Sequence, residues 1–283
     1  MKKEMLTRDG KPAEGPLSSR DLSDLTFFST ALFVSIALLV QFVLNFYTAW
    51  LLSVNAYSYR YSLFSLNYAS ASHWYEEAIY FIFGSGPVIL TLLGFLLVMI
   101  LRQSRIQNWK FRLTLTWLAF MMANALPCNI IAGVFFYEGF GIAFRWLLIS
   151  YLARGVIGAL VLAILVFFRF YWQQLFLKAS YSVAFLSYFG QQKLFIKHAV
   201  FKPWMYGTVI LLLFNWPYSD FLWRVFMLTL GFVGIPLIFA PDTFYRLKIT
   251  RSAQGITGVR RQGWVVFAVI FLIWMADNFI MDL

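Results

Sequence analysis

The chain has 283 residues, is 61% hydrophobic and 20% aromatic, and carries charge on only 12% of its positions. A soluble domain of this size would carry about 25% charged residues, so the composition points to one polytopic membrane domain with little soluble mass. The net charge of +11 would raise nucleic acid as a partner in a soluble protein. Here the basic residues fall in short segments between apolar runs, as the positive-inside rule requires, and nucleic acid is not expected.

Residues 1–24 mix charges with Gly and Pro and read as a cytoplasmic tail, with a short interfacial helix near Leu17–Leu25. Residues 25–283 read as a single transmembrane helical domain, all-α, with about seven spans. No cleavable signal peptide is expected, because the first apolar run is too long for one. The first span covers about Leu25–Val54, more than the roughly 20 residues a bilayer needs, and its Gln41 and Asn45 should face protein rather than lipid. In residues 55–77 Tyr57, Tyr59 and Tyr61 alternate with Ser58 and Arg60, a period of two that predicts an extended interfacial segment.

The second span, about Ala78–Leu101, carries Gly84, Ser85, Gly86 and Pro87, and the proline should bend it. The third runs from Leu113 through Met121–Gly141, where Asn124, Pro127, Cys128, Asn129 and Gly133 crowd a hydrophobic stretch. A proline there removes a backbone donor and must kink or break the helix. The fourth span, about Ile142–Phe168, places Arg154 near its middle. Residues 169–203 are aromatic and basic and suit a helix or pair of helices lying in the interface. The fifth and sixth spans are about Trp204–Trp216 and Phe221–Ala240, and the seventh about Gly263–Leu283.

Lysine and arginine number 5 in the N-terminal tail, 4 in 102–112, 5 in 169–203 and 5 in 241–262; the other four are Arg60, Arg145, Arg154 and Arg224. That asymmetry places the N-terminus inside and the C-terminus outside. The expected location is the plasma membrane, specifically a bacterial inner membrane.

Candidate polar sites follow from the same reading. An arginine at a helix centre costs about 2.5 to 3.5 kcal/mol on insertion scales, so Arg154 needs a partner. Glu76 and Glu77, Glu138 and Asp277 supply candidate acids on the outer side. Glu76 and Glu77 are adjacent and point about 100° apart on a helix, so unaided they form no carboxylate dyad. Asn124, Pro127 and Asn129 mark a break that can pack against neighbouring helices or a docking partner.

Catalytic sets are not expected. Zinc catalysis needs three protein ligands and an open position, whereas His73 and His198 fall on opposite predicted sides of the membrane. The single cysteine, Cys128, excludes an intramolecular disulfide and a thiolate cluster. It has no histidine on its span to activate it and reads as a small apolar residue. Gly84-Ser85-Gly86 reads as helix packing rather than a phosphate loop. No cofactor and no metal are implied.

The order of these features resembles the site-2 protease (M50-like) family of membrane metalloproteases over about residues 25–168. Leu44-Asn45-Phe46-Tyr47-Thr48-Ala49 stands where that family carries HExxH. Phe83-Gly84-Ser85-Gly86-Pro87-Val88 resembles its glycine–proline helix start, and Asn124-Ala125-Leu126-Pro127 its N-x-x-P. Its metal-binding aspartate has no counterpart in Cys128–Gly133. The resemblance implies a catalytically silent relative, with residues 55–77 in the place of the strand that holds an extended substrate. The predicted inside-to-outside course of the first span departs from that expected of the family's metal-bearing helix.

The function expected is that of a non-catalytic membrane subunit or scaffold that binds protein partners as well as lipid. A secondary transporter or channel with interrupted helices is the first alternative. An intramembrane enzyme acting on lipid or peptide is the second.

Overall fold

A computed structural model describes residues 19–52, 76–103, 106–135, 140–180, 189–214 and 259–280. Among these residues the chain is all-helical. In order come α1 (Ser19–Leu52), α2 (Glu76–Gln103), α3 (Trp109–Ala123), α4 (Ala125–Phe135), α5 (Phe140–Trp146), α6 (Tyr151–Lys178) and α7 (Phe189–Ile196). A π-turn, Lys197–Phe201, then joins α7 to α8 (Lys202–Phe214), and α9 covers Val259–Ile280. Among the described residues three helices are long and apolar enough to cross a membrane: Ser19–Val40 of α1, Gly84–Gln103 of α2, and α6. The pair α3 and α4, bent by 41°, makes a fourth if read as one broken span. These helices point to an integral membrane protein.

Pro87 lies inside the continuous helix α2. Three expectations change. The fourth span does not begin near residue 142, because the short α5 ends at Trp146 and a turn separates it from α6. Arg154 therefore stands in the first turn of α6, not at a helix centre. Finally, the expected interfacial segment 169–203 is divided: residues 169–178 finish α6, and 189–201 lead helically into α8. Here the aromatic and basic composition was a poor guide, because such residues also suit the ends of long spans. The segments expected as fifth and seventh spans are helical, while 221–240 and most of the extended segment 55–77 lie outside the described residues.

The contacts fix relative direction. Trp109 and Trp117 of α3 meet Phe28 and Phe33 of α1 in that order, so α1 and α3 run the same way. Phe120 of α3 meets Trp172 of α6, while Gly158 faces Val134 of α4, so α6 runs against them. Arg112 reaches Leu101, and Gly94 abuts Ala123, which makes α2 antiparallel to α3. On α1, Thr26 meets His198 and Phe33 meets Gly207, while Asp24 and Phe27 meet Arg260 and Gly263. Thus α1, α3–α4, α8 and α9 run one way, and α2 and α6 the other. Arg20, Arg102, Lys110, Lys197, Lys202 and Arg260 gather at one end of the bundle as a result. Arg145 and Arg154 stand at the other.

The core is aromatic. Trp117 is wholly buried and packs edge-on against Phe33, Phe120 and Phe176. Edge-to-face pairs of this kind add about 0.5 to 1.5 kcal/mol each beyond area burial. The Trp117 indole N–H donates to Ser29 Oγ (3.3 Å), and that hydroxyl donates to Ala199 O (2.8 Å). In an α-helix Ala199 O would accept from residue 203, which is a proline without an amide hydrogen. The helix widens into a π-turn at that point, with Lys202 N–H bonded to Lys197 O, and Ser29 supplies the missing donor.

Candidate functional site

The polar stretch 121–141 resolves into a helix break at Asn124, three residues before Pro127. Pro127 falls in the first turn of α4, where its missing amide hydrogen costs least. Thr91 of α2 fills the gap. Its hydroxyl accepts from Leu126 N–H (3.0 Å) and faces Met122 O at 3.4 Å. Those two backbone groups would be bonded to each other in a continuous helix, so the hydroxyl is inserted into one ladder bond. Asn124 Nδ2 donates to Phe120 O (2.6 Å) and Asn129 Nδ2 to Ala125 O (2.8 Å). Both amides therefore spend a donor on their own helix. Gly94, one turn from Thr91, lets α2 approach so closely that a Cβ there would overlap the backbone of Ala123. The break is packed shut by α2. Sequence reasoning located the break but missed Thr91 and Gly94, whose only signal is their spacing of three on one helix face.

Arg154 is buried, and it too is spent on backbone. Its Nε donates to Ile149 O (2.8 Å) and Nη2 to Phe144 O (3.3 Å), with the guanidinium 5.4 Å from the Tyr151 ring centre. Phe144 O and its neighbours belong to the end of α5, which closes in a Schellman turn. Ile149 N–H bonds Phe144 O and Leu148 N–H bonds Arg145 O, with Leu148 at φ 52°. Ser150 caps α6 by accepting from Ala153 N–H (3.3 Å). A cation at a helix C-terminus also meets the negative end of its dipole. Arg154 is thus a clamp on the α5–α6 corner. Glu76 and Glu77 open α2 and Asp277 lies in α9, but their side chains, like Glu138 as a whole, lie outside the described residues.

Arg112 repeats this device and was missed. It is buried, stands fourth in α3 after the N-cap Asn108, and sends Nη2 to Leu101 O of α2 (2.9 Å). Arg154 likewise stands fourth in α6 after Ser150. The shared signal is a capping residue followed by arginine four positions later.

A concave site lies elsewhere. A cleft of about 590 Å³ opens between α1, the π-turn, α8 and α9. Ser19, Ser23, Thr26 and Thr30 form one wall along α1, and His198, Lys202 and Tyr206 face them. Thr26 Oγ donates to Leu22 O (2.8 Å) and lies 2.9 Å from His198 Nδ1. With Thr26 donating to Leu22 O, the Nδ1–H tautomer lets His198 point its hydrogen at Thr26 Oγ and Leu22 O together and leaves Nε2 as an acceptor. Burial holds the His198 pKa below its usual range, and Lys202 and Lys197 add like charge. Among the described residues no acid or hydrogen-bond acceptor meets the Lys202 ammonium. The sequence reading had placed His198 in an inner loop and given it no role.

No family model, curated protein or solved structure matches the chain. Among the described residues no three His, Cys, Asp or Glu side chains are grouped to hold a metal ion. Cys128 is wholly buried in α4 and packs as a small apolar residue.

Proposed function

We propose that the chain is a non-catalytic integral membrane subunit that binds other membrane proteins within the bilayer. In this reading it has seven spans, with its N-terminus inside and its C-terminus outside a bacterial inner membrane. The alternating helix directions and the basic end of the bundle support that topology.

The observation that carries the partner reading is the outer face of α6. Only 17% of its most apolar window is buried, and Gly155, Ala159 and Ala163 recur every four residues on exposed surface. Nothing lies within 4 Å of where a Gly155 Cβ would stand. Lipid accounts for exposed Leu152, Val156, Leu160 and Phe167. A row of small residues is better suited to close approach of another helix.

A photo-crosslinker at Ala159, followed by purification from the native membrane, tests the reading. One defined membrane protein should be captured there, and Gly155→Ile should reduce its co-purification about tenfold while the folded yield stays unchanged. A partner-free monomer that turns over a substrate would overturn the reading. The transporter alternative draws on the 41° bend of α3–α4. It would need solute flux in proteoliposomes that Thr91→Val abolishes, and it is weakened because the polar groups at the bend are committed to backbone.

A further inference from the structure

The cleft between α1, α8 and α9 is graded along its length. Ser19, Ser23, His198 and Lys202 lie toward the basic end of the bundle, while Phe27, Ile210 and Phe267 close the deeper part. Lys202 is half-buried, with no counter-charge among the described residues. A half-buried cation without a counterion favours an anion, and the apolar walls favour a hydrocarbon chain. The cleft is beside the start of the Ser19–Val40 span, the level at which a lipid headgroup meets its acyl chains. A volume of about 590 Å³ accommodates a phosphate group and the upper part of an acyl chain, not a whole lipid, so the remainder must extend into the bilayer. Exposed Val209, Tyr206 and Val269 leave the flank of α8 and α9 open to it.

We propose that this cleft holds one anionic phospholipid, its phosphate beside Lys202, His198 and Ser23 and an acyl chain against Phe27, Ile210 and Phe267. The proposal needs only that α1 crosses the bilayer; it is independent of the partner assigned to α6. Hydroxyls of α1 supply neutral donors, and His198 Nε2 becomes a further donor when the phosphate draws a proton to it.

The test uses the full chain in detergent, exposed in turn to phosphatidylglycerol and phosphatidylcholine and read by native mass spectrometry. The native chain should retain one phosphatidylglycerol in preference to phosphatidylcholine. Lys202→Gln should reduce that preference about fivefold, the effect of one lysine near a headgroup, and Arg261→Gln, outside the cleft, should leave it unchanged. Ile210→Trp should reduce retention of the anionic lipid without altering charge, so a folding failure of one variant does not decide the question. Equal retention of the two lipids, or equal effects of Lys202→Gln and Arg261→Gln, overturns the proposal. Thermal protection by inorganic phosphate alone, in phosphatidylcholine nanodiscs, would reassign the cleft to a soluble phosphate compound and also overturn it.

Discussion

Leu148 occupies the left-handed position of the turn after α5, at φ 52°, and it is 90% exposed. A β-carbon in that region costs about 1 to 2 kcal/mol, and glycine is the usual occupant of this place in a Schellman turn. Leu148→Gly should therefore stabilise the chain by up to about 1 kcal/mol, measured as a higher midpoint of thermal unfolding in detergent. A lower midpoint would mean that the leucine side chain makes a contact worth more than its backbone strain. His198 gives a second test at this scale. Burial first, and then Lys202, lower its pKa, partly opposed by a hydrogen bond to Leu22 O, and Lys197 lowers it further. The unfolded chain titrates at about pH 6.5. Between the folded and unfolded values the unfolded chain binds the extra proton, so stability rises with pH there. The contribution of neutral His198 is complete above about pH 6.5 and is lost as pH falls below it. Between about pH 7.5 and 5.5, the native chain should lose more thermal stability than His198→Gln. Parallel losses would assign the acid sensitivity to other groups.

Among the described residues helices are interrupted twice next to prolines, and each time a neighbouring helix supplies the repair. Pro127 is accommodated by a break into which Thr91 inserts its hydroxyl, and Pro203 by a π-turn whose Ala199 carbonyl accepts a hydrogen bond from Ser29. In hydrocarbon an unsatisfied backbone group costs several kcal/mol, so the repair belongs to the tertiary fold and not to the broken helix. Thr91→Val keeps the shape of the side chain but removes both bonds, and should destabilise by about 2 to 4 kcal/mol. Thr91→Ser should retain most of the stability, and equal behaviour of the two variants would show that the hydroxyl is not the repairing group. This is also where sequence reading stops. Pro127 and Asn124 announce a break, but Thr91 lies more than thirty residues away and has no local mark. Arg154 was legible as an expensive residue. Its position near the start of α6 was not, because the signal for that start is the single cap Ser150 within an unbroken apolar run.

At the scale of the molecule, composition reveals the helical membrane class, and loop charges provide an expectation for topology that the described helices fit in direction. The segment 215–258 carries the expected sixth span and lies outside the described residues. Helices α8 and α9 run the same way, as an expected span between them implies. In sequence, the apolar run 221–240 has the roughly 20 residues that a spanning helix needs. The proposed topology has seven crossings, with the termini on opposite sides. Single cysteines at Thr7 and Asp282, introduced with Cys128→Ser, test it in intact cells against a thiol reagent that does not cross membranes. Asp282→Cys should label in intact cells and Thr7→Cys only after lysis. Labelling of both, or of neither, before lysis would place the termini together, require an even number of crossings, and remove the sixth span from the fold.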